Sequence, residues 1–170
     1  GVKVTAVDVS PRMLEIVARH AKDMGLEVTT VASDLAELPA HLASRFDGVF
    51  TLGNTLAHFL SPGALVSVLT GFRQVLRHGG IMFAQILNYR RILVSRDQII
   101  GTTEADGYRF TRRYEYGQKL IRFTITREDV NGRIPPDMVS ADLYPLLETE
   151  FEEALRTAGF DEIRMFGGIS

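Results

Sequence analysis

Residues 2–90 alternate between short apolar runs and stretches of helical period, and few folds admit that order. The apolar runs are KVTAV (3–7), 28–32, FDGVFTL (46–52) and 81–87. Between the first two, Met13, Leu14, Ile16, Val17, Ala21 and Met24 fall at helical spacing, with Ser10 and Pro11 as a start signal and Gly25 as a stop. Between the last two, Leu65, Val68, Leu69, Phe72, Val75 and Leu76 repeat the pattern over 62–77, and His78-Gly79-Gly80 ends it. A weaker helical stretch is expected over 37–44. Strands that alternate with helices are joined by right-handed crossovers into a parallel sheet, so the expected class is α/β with a doubly wound, Rossmann-like, mostly parallel sheet. The run 46–52 is apolar at nearly every position, as a central strand buried on both faces would be.

Such sheets bind ligands in the crevice at the carboxyl ends of their strands. The polar residues just past the four runs are Asp8, Asp34, Asn54 and Asn88. A carboxylate at a strand tip suits a ribose diol, because two hydroxyl donors match its two acceptor oxygens. Asp8 has that placement. It equally suits a residue that ends a strand ahead of a helix capped by Ser10, and both readings stand.

Composition narrows the function classes. The chain has 170 residues, 45% of them hydrophobic and 24% charged, which suits one globular domain, 1–170. A net charge of −2 provides no broad basic field, so nucleic acid is not an expected partner. Without cysteine there is no thiolate nucleophile and no cysteine metal site; no metal is expected, and a reducing, cytoplasmic setting fits. The longest apolar run, 81–87, is interrupted by Gln85 and is far too short to span a membrane.

Past Arg91 the period changes from helical to alternating. Strands are expected over 108–114, 119–126 and 138–146, with Asn131-Gly132 as a hairpin signal. These make an inserted antiparallel β-meander, 91–146, laid over the crevice as a lid. A helix over 148–158, ended by Gly159, and a last strand over 162–166 complete the chain.

The order VTAVDVSPRML, SDL, FDGVFTLGNTLAHF, LRHGGIMFAQILNYRRI and EFEEALRTAGFDEIRMF resembles the class I S-adenosylmethionine-dependent methyltransferases along nearly the whole chain. The closing helix and strand are similar to that family's terminal antiparallel hairpin. The resemblance implies S-adenosyl-L-methionine as cofactor, with Asp8 on the ribose hydroxyls, Asp34 on the adenine amine, and Val9, Met13 and Leu35 against the adenosine. As apolar residues, these three equally suit a core. GNTLAHF and the NY pair resemble the glycine N-methyltransferase branch, which acts on small molecules. Gly53 would let the backbone approach the methionine part of the cofactor. Asn54 would orient the acceptor or the cofactor's amino-acid end. His58 would be a general base, or else a histidine that holds its loop by bonding backbone. Asn88 and Tyr89 would face the acceptor.

The sequence departs from that branch in two places. The branch has an arginine before the asparagine, pairing with a substrate carboxylate, where this chain has Leu87. An alkyl side chain cannot hold an anion, so glycine is not the expected acceptor, and Arg90, Arg91, Arg112 and Arg113 are the alternative cations. The family also carries a glycine-rich loop after its first strand, and no such loop occurs here. A βα unit of on the order of thirty residues would deliver it, so that unit is expected to precede Gly1 in the intact enzyme. The open sheet edge could then pair with another molecule, a second copy included. The expected activity is methyl transfer to a nitrogen or oxygen of a small molecule. The alternatives are a non-catalytic cofactor-binding module and a nicotinamide-dependent dehydrogenase, the latter disfavoured by the expected terminal hairpin.

Overall fold

The computed structural model describes residues 1–38, 42 and 46–167. Strand β1 (Val4–Asp8) pairs in parallel with β2 (Val28–Ala32), with Asp8 opposite Ala32. Helix α1 (Pro11–Asp23) links them. The Ser10 side chain accepts from the Met13 N–H at its start, and Gly25, at φ +68°, ends it in the left-handed conformation glycine tolerates. A single 3₁₀ turn, Leu35–Glu37, follows β2. The helix expected over 37–44 lies largely outside the described residues.

Strand β3 (Phe46–Thr51) pairs in parallel with β4 (Leu76–Ala84). Between them run a 3₁₀ turn, Thr55–His58, and helix α2 (Pro62–Val75). Leu65, Val68, Leu69, Phe72 and Val75 of α2 are all buried, so the periodicity read from the sequence is the packing face of the helix. No ladder joins the β1–β2 pair to the β3–β4 pair among the described residues.

Helix α3 (Tyr89–Ser95) leads into an antiparallel sheet, β5 (Ile99–Ala105), β6 (Tyr108–Tyr116), β7 (Ile121–Asp129) and β8 (Asp137–Leu143), in that spatial order. Helix α4 (Glu148–Thr157) ends the regular structure. Tyr114, Ile121 and Leu143 of the sheet share one buried cluster with α2, with Phe151, Ala154 and Leu155 of α4, and with Tyr89. The sheet is therefore rooted in the main core at one end. It is also tied to the turn after β3, where the Tyr144 N–H donates to the Ala57 carbonyl at 2.7 Å.

Four expectations change. The meander has four strands, not three, because Asp106 and Gly107 at φ +52° and +79° form a two-residue hairpin turn that adds β5. The Asn131-Gly132 signal lies instead in a longer connection, 130–136, held by Asp129, whose carboxylate accepts from the Asn131 and Arg133 backbone N–H groups and from the Arg133 guanidinium. Residues 162–166 form no strand, because a strand exists through its ladder and no described strand pairs with them. Strand β3 is buried on one face only: Val49 packs towards the core with Met82 and Ala84 of β4, whereas Phe50 and Ile81 stay 74% and 72% exposed.

Candidate functional site

The parallel pairing brings strand ends into line, and the candidate residues follow from it in two groups. At the first, β1 ends in Asp8, whose Oδ1 accepts from the Ser10 N–H at 2.8 Å. Its Oδ2 has no partner among the described residues. The Asp8 carbonyl accepts from the Ser33 N–H at 3.1 Å and so ties the two strand ends together. Val9 and Met13, beside this carboxylate, are 68% and 49% exposed, so they are not core. Asp34 is exposed and caps the following 3₁₀ turn, its Oδ1 accepting from the Ala36 N–H at 2.9 Å. Leu35 is half-buried against the core. Both aspartates thus organise their own turns, and each does so through one oxygen.

The second group sits at the ends of β3 and β4. Gly53 and Asn54 are consecutive left-handed residues, at φ +71° and +69°. Asparagine tolerates that conformation better than most residues, and at Gly53 a Cβ would meet nothing within 4 Å, so the space beside it is open. Gln85 clamps this turn from the end of β4. Its Oε1 accepts from the Gly53 N–H at 2.8 Å and its carbonyl accepts from the Asn54 N–H at 3.2 Å. The Gln85 amide orientation is fixed by chemistry, since a backbone N–H can donate only to the oxygen. Its nitrogen is left with two donors and no partner among the described residues.

Asn54 is buried, and its side chain is spent within the protein. Oδ1 accepts from the Leu87 N–H at 3.1 Å, and Nδ2 donates to the Tyr89 hydroxyl at 2.8 Å. Tyr89 is 1% exposed, and burial pushes its phenol up to about 12 against the opposing effect of the Asn54 bond. Tyr89 therefore does not face an acceptor as expected; it is a core residue that fixes Asn54. Asn88 caps α3, accepting from the Arg91 N–H at 2.9 Å. Arg90 is drawn away to α4, its Nε donating to Glu148 Oε1 at 3.0 Å. That contact, after the bond from the Glu148 backbone N–H, holds the Glu148 carboxyl below its ordinary range. His58 ends the 3₁₀ turn four residues past Asn54, exposed, and its ring makes no hydrogen bond among the described residues. The alternative in which it braces the loop is not what the structure shows.

Asn54 and Tyr89, two of the residues singled out in the sequence, are joined side chain to side chain. Gln85 escaped the sequence reading because nothing in a lone glutamine after a strand marks it as a clamp. No group of His, Cys, Asp and Glu able to hold a metal occurs among the described residues. No described helix is long and apolar enough to cross a membrane.

A carboxylate oxygen with no partner among the described residues has the chemistry to accept from a ribose hydroxyl, and exposed apolar side chains such as Val9 and Met13 have the chemistry to cover a flat ring. In sequence and in fold the chain is similar to known methyltransferases. Residues 1–80 match a family model described as a methyltransferase domain. The glycine/sarcosine N-methyltransferase of Aphanothece halophytica is 29% identical over 168 residues, covering 98% of this chain and 61% of that protein. The ubiquinone biosynthesis O-methyltransferase of Methylocella silvestris is 34% identical over 88 residues, 52% of this chain and 32% of that one. The chain thus spans about three fifths or less of these relatives' length. Among solved structures, an S-adenosylmethionine-dependent methyltransferase from Clostridium acetobutylicum superposes with a TM-score of 0.79 at 16% identity, covering 92% of this chain and 63% of that one. The CcbJ methyltransferase from Streptomyces caelestis gives 0.77 at 22% identity, covering 94% and 64%. The chain is thus similar over residues 1–80 to a methyltransferase domain, along nearly its whole length to a glycine/sarcosine N-methyltransferase, and in fold to S-adenosylmethionine-dependent methyltransferases.

Proposed function

We propose that the protein transfers a methyl group from S-adenosylmethionine to a nitrogen or oxygen of a small molecule. The observation that carries the reading is Asp8, half-buried at a strand tip with one oxygen committed to its own turn and the other open beside exposed Val9 and Met13. When bound, the cofactor supplies an electrophilic methyl group, so the protein's task is binding, alignment and proton removal. Asp8 accepts from the ribose hydroxyls, and Asp34 accepts from the adenine amine through its free oxygen. The open backbone at Gly53 admits the amino-acid end of the ligand, and the Gln85 clamp keeps that turn in its left-handed shape. Asn54 acts as a positioning residue through its bonds to Leu87 and Tyr89. His58, exposed and uncommitted, takes the acceptor's proton. The β5–β8 sheet, rooted in the core by Tyr114 and Leu143, forms the wall over the acceptor.

The test is acceptor-dependent formation of S-adenosylhomocysteine by the full-length protein, with small amines and phenols as acceptors. His58→Ala should lower kcat by about a hundredfold and leave cofactor affinity unchanged, as loss of a general base does. Cofactor binding without any acceptor-dependent product would favour a non-catalytic module. A His58→Ala variant with full activity would remove the base assignment.

A further inference from the structure

The two sets of strand ends differ in charge. Asp8 and Asp34 stand at the tips of β1 and β2. Neither 52–61, past β3, nor 85–95, past β4, contains an aspartate or glutamate. Carboxylates suit the hydroxyl and amine donors of a ligand, whereas the second set of ends offers donors of its own, and they belong to Gln85.

Gln85 is held at three points on one turn. Its N–H donates to the Thr51 carbonyl at 2.9 Å, its carbonyl accepts from the Asn54 N–H at 3.2 Å, and its Oε1 accepts from the Gly53 N–H at 2.8 Å. With the backbone and the side-chain oxygen both anchored, the place of Nε2 is set as well. Among the described residues no buried side-chain nitrogen or oxygen lacks a partner, and Gln85 is half-buried, so its unpartnered Nε2 reaches the surface. It does so from a side chain bonded to Gly53, where a Cβ would meet nothing within 4 Å. An amide whose oxygen is engaged presents two N–H donors and suits a group that only accepts. A donor fixed before the ligand arrives loses little freedom on binding.

We propose that Gln85 is a specificity-determining residue, whose Nε2 donates to the carboxylate at the cofactor's amino-acid end and so selects S-adenosylmethionine over its decarboxylated analogue. This rests on the methyltransferase reading and names the group that reads the ligand's charge at the Gly53 turn. A hydrogen bond from an amide to a carboxylate is charge-assisted and stronger than one between neutral groups. The decarboxylated analogue ends in an ammonium, which has three donors and no acceptor, so it meets the Gln85 nitrogen donor against donor.

Calorimetric titration of the full-length protein with S-adenosylmethionine, decarboxylated S-adenosylmethionine and methylthioadenosine tests the assignment. The wild type should bind S-adenosylmethionine about tenfold tighter or more than the decarboxylated analogue. Gln85→Glu keeps an oxygen for the Gly53 N–H and replaces both donors with a negative charge, so its preference should reverse. Gln85→Met, neutral and of similar length, should lose the preference without reversing it. Methylthioadenosine, which carries the nucleoside and no amino-acid end, should bind all three proteins alike and so reports an intact fold. Equal affinity of the wild type for the two sulfonium ligands, or an undiminished preference in Gln85→Met, would overturn the inference, and methylthioadenosine binding would leave the nucleoside reading standing. If none of the three ligands binds the wild type, the methyltransferase reading falls and the inference falls with it.

Discussion

Asn54 shows how a residue can occupy a functional position and spend its chemistry on structure. Its left-handed backbone and both ends of its amide are committed, to Gln85, Leu87 and Tyr89. The partners lie more than thirty residues away in sequence, so no local pattern announces them. What was legible locally was the position: a polar residue at the end of an apolar run. Tyr89 was read as facing an acceptor because its neighbours resemble an acceptor motif; it is buried in a cluster whose other members come from distant parts of the chain, Tyr114 of β6 among them. That burial makes a pH prediction. The folded state raises the Tyr89 phenol from 10.0 to about 12, so it favours the neutral form. Its contribution to stability is intact below about pH 10 and is lost as pH rises from there towards 12. Tyr114 is shifted in the same direction, also chiefly by burial. Urea unfolding measured between pH 9 and 11.5 should show falling stability in the wild type, on the order of 2 kcal/mol at most from Tyr89. Tyr89→Phe should have a flatter profile, and an identical slope in the two proteins would contradict this account.

At the scale of elements, the boundaries of α1, β2, α2 and α4 follow the sequence closely, because each carries its own signals: Ser10 and Pro11, Ser61 and Pro62, Gly25, Gly159. The misses share one cause, which is partnership. Strand β5 has the sequence IIGTTEA, with a glycine and no strict alternation, and is a strand because β6 pairs with it. Residues 162–166 have strand-like composition and no described partner. The Asp106-Gly107 dipeptide between β5 and β6 was the readable signal for that hairpin. Gly107 sits at φ +79° with open space around a Cβ, so Gly107→Ala is penalised by backbone conformation and not by a clash. A loss of about 1–2 kcal/mol is expected in chemical denaturation, with cofactor affinity unchanged, since the turn lies at the far end of the sheet from the shared core.

For the whole molecule, the organising fact is that a single core joins α2, the β3–β4 pair, the antiparallel sheet and α4, with Val7 of β1 packed against it, whereas the buried Leu14 and Ala21 of α1 lie outside it. Tyr89, Tyr114, Ile121, Leu143 and Phe72 are members of one cluster with Leu56 and Ala57, so the antiparallel sheet and the turn that carries His58 are held by the same packing. The strand-end carboxylates stand at the tips of β1 and β2, where Asp8 is the residue with most to say about function. Calorimetric titration of S-adenosylmethionine into the full-length protein and its Asp8→Ala variant, with NAD⁺ as the control ligand, is the most direct test. Removing an acceptor from two ribose hydroxyls should weaken S-adenosylmethionine binding by about tenfold to a hundredfold, with no binding of NAD⁺. Equal S-adenosylmethionine affinity in the two proteins would contradict the account.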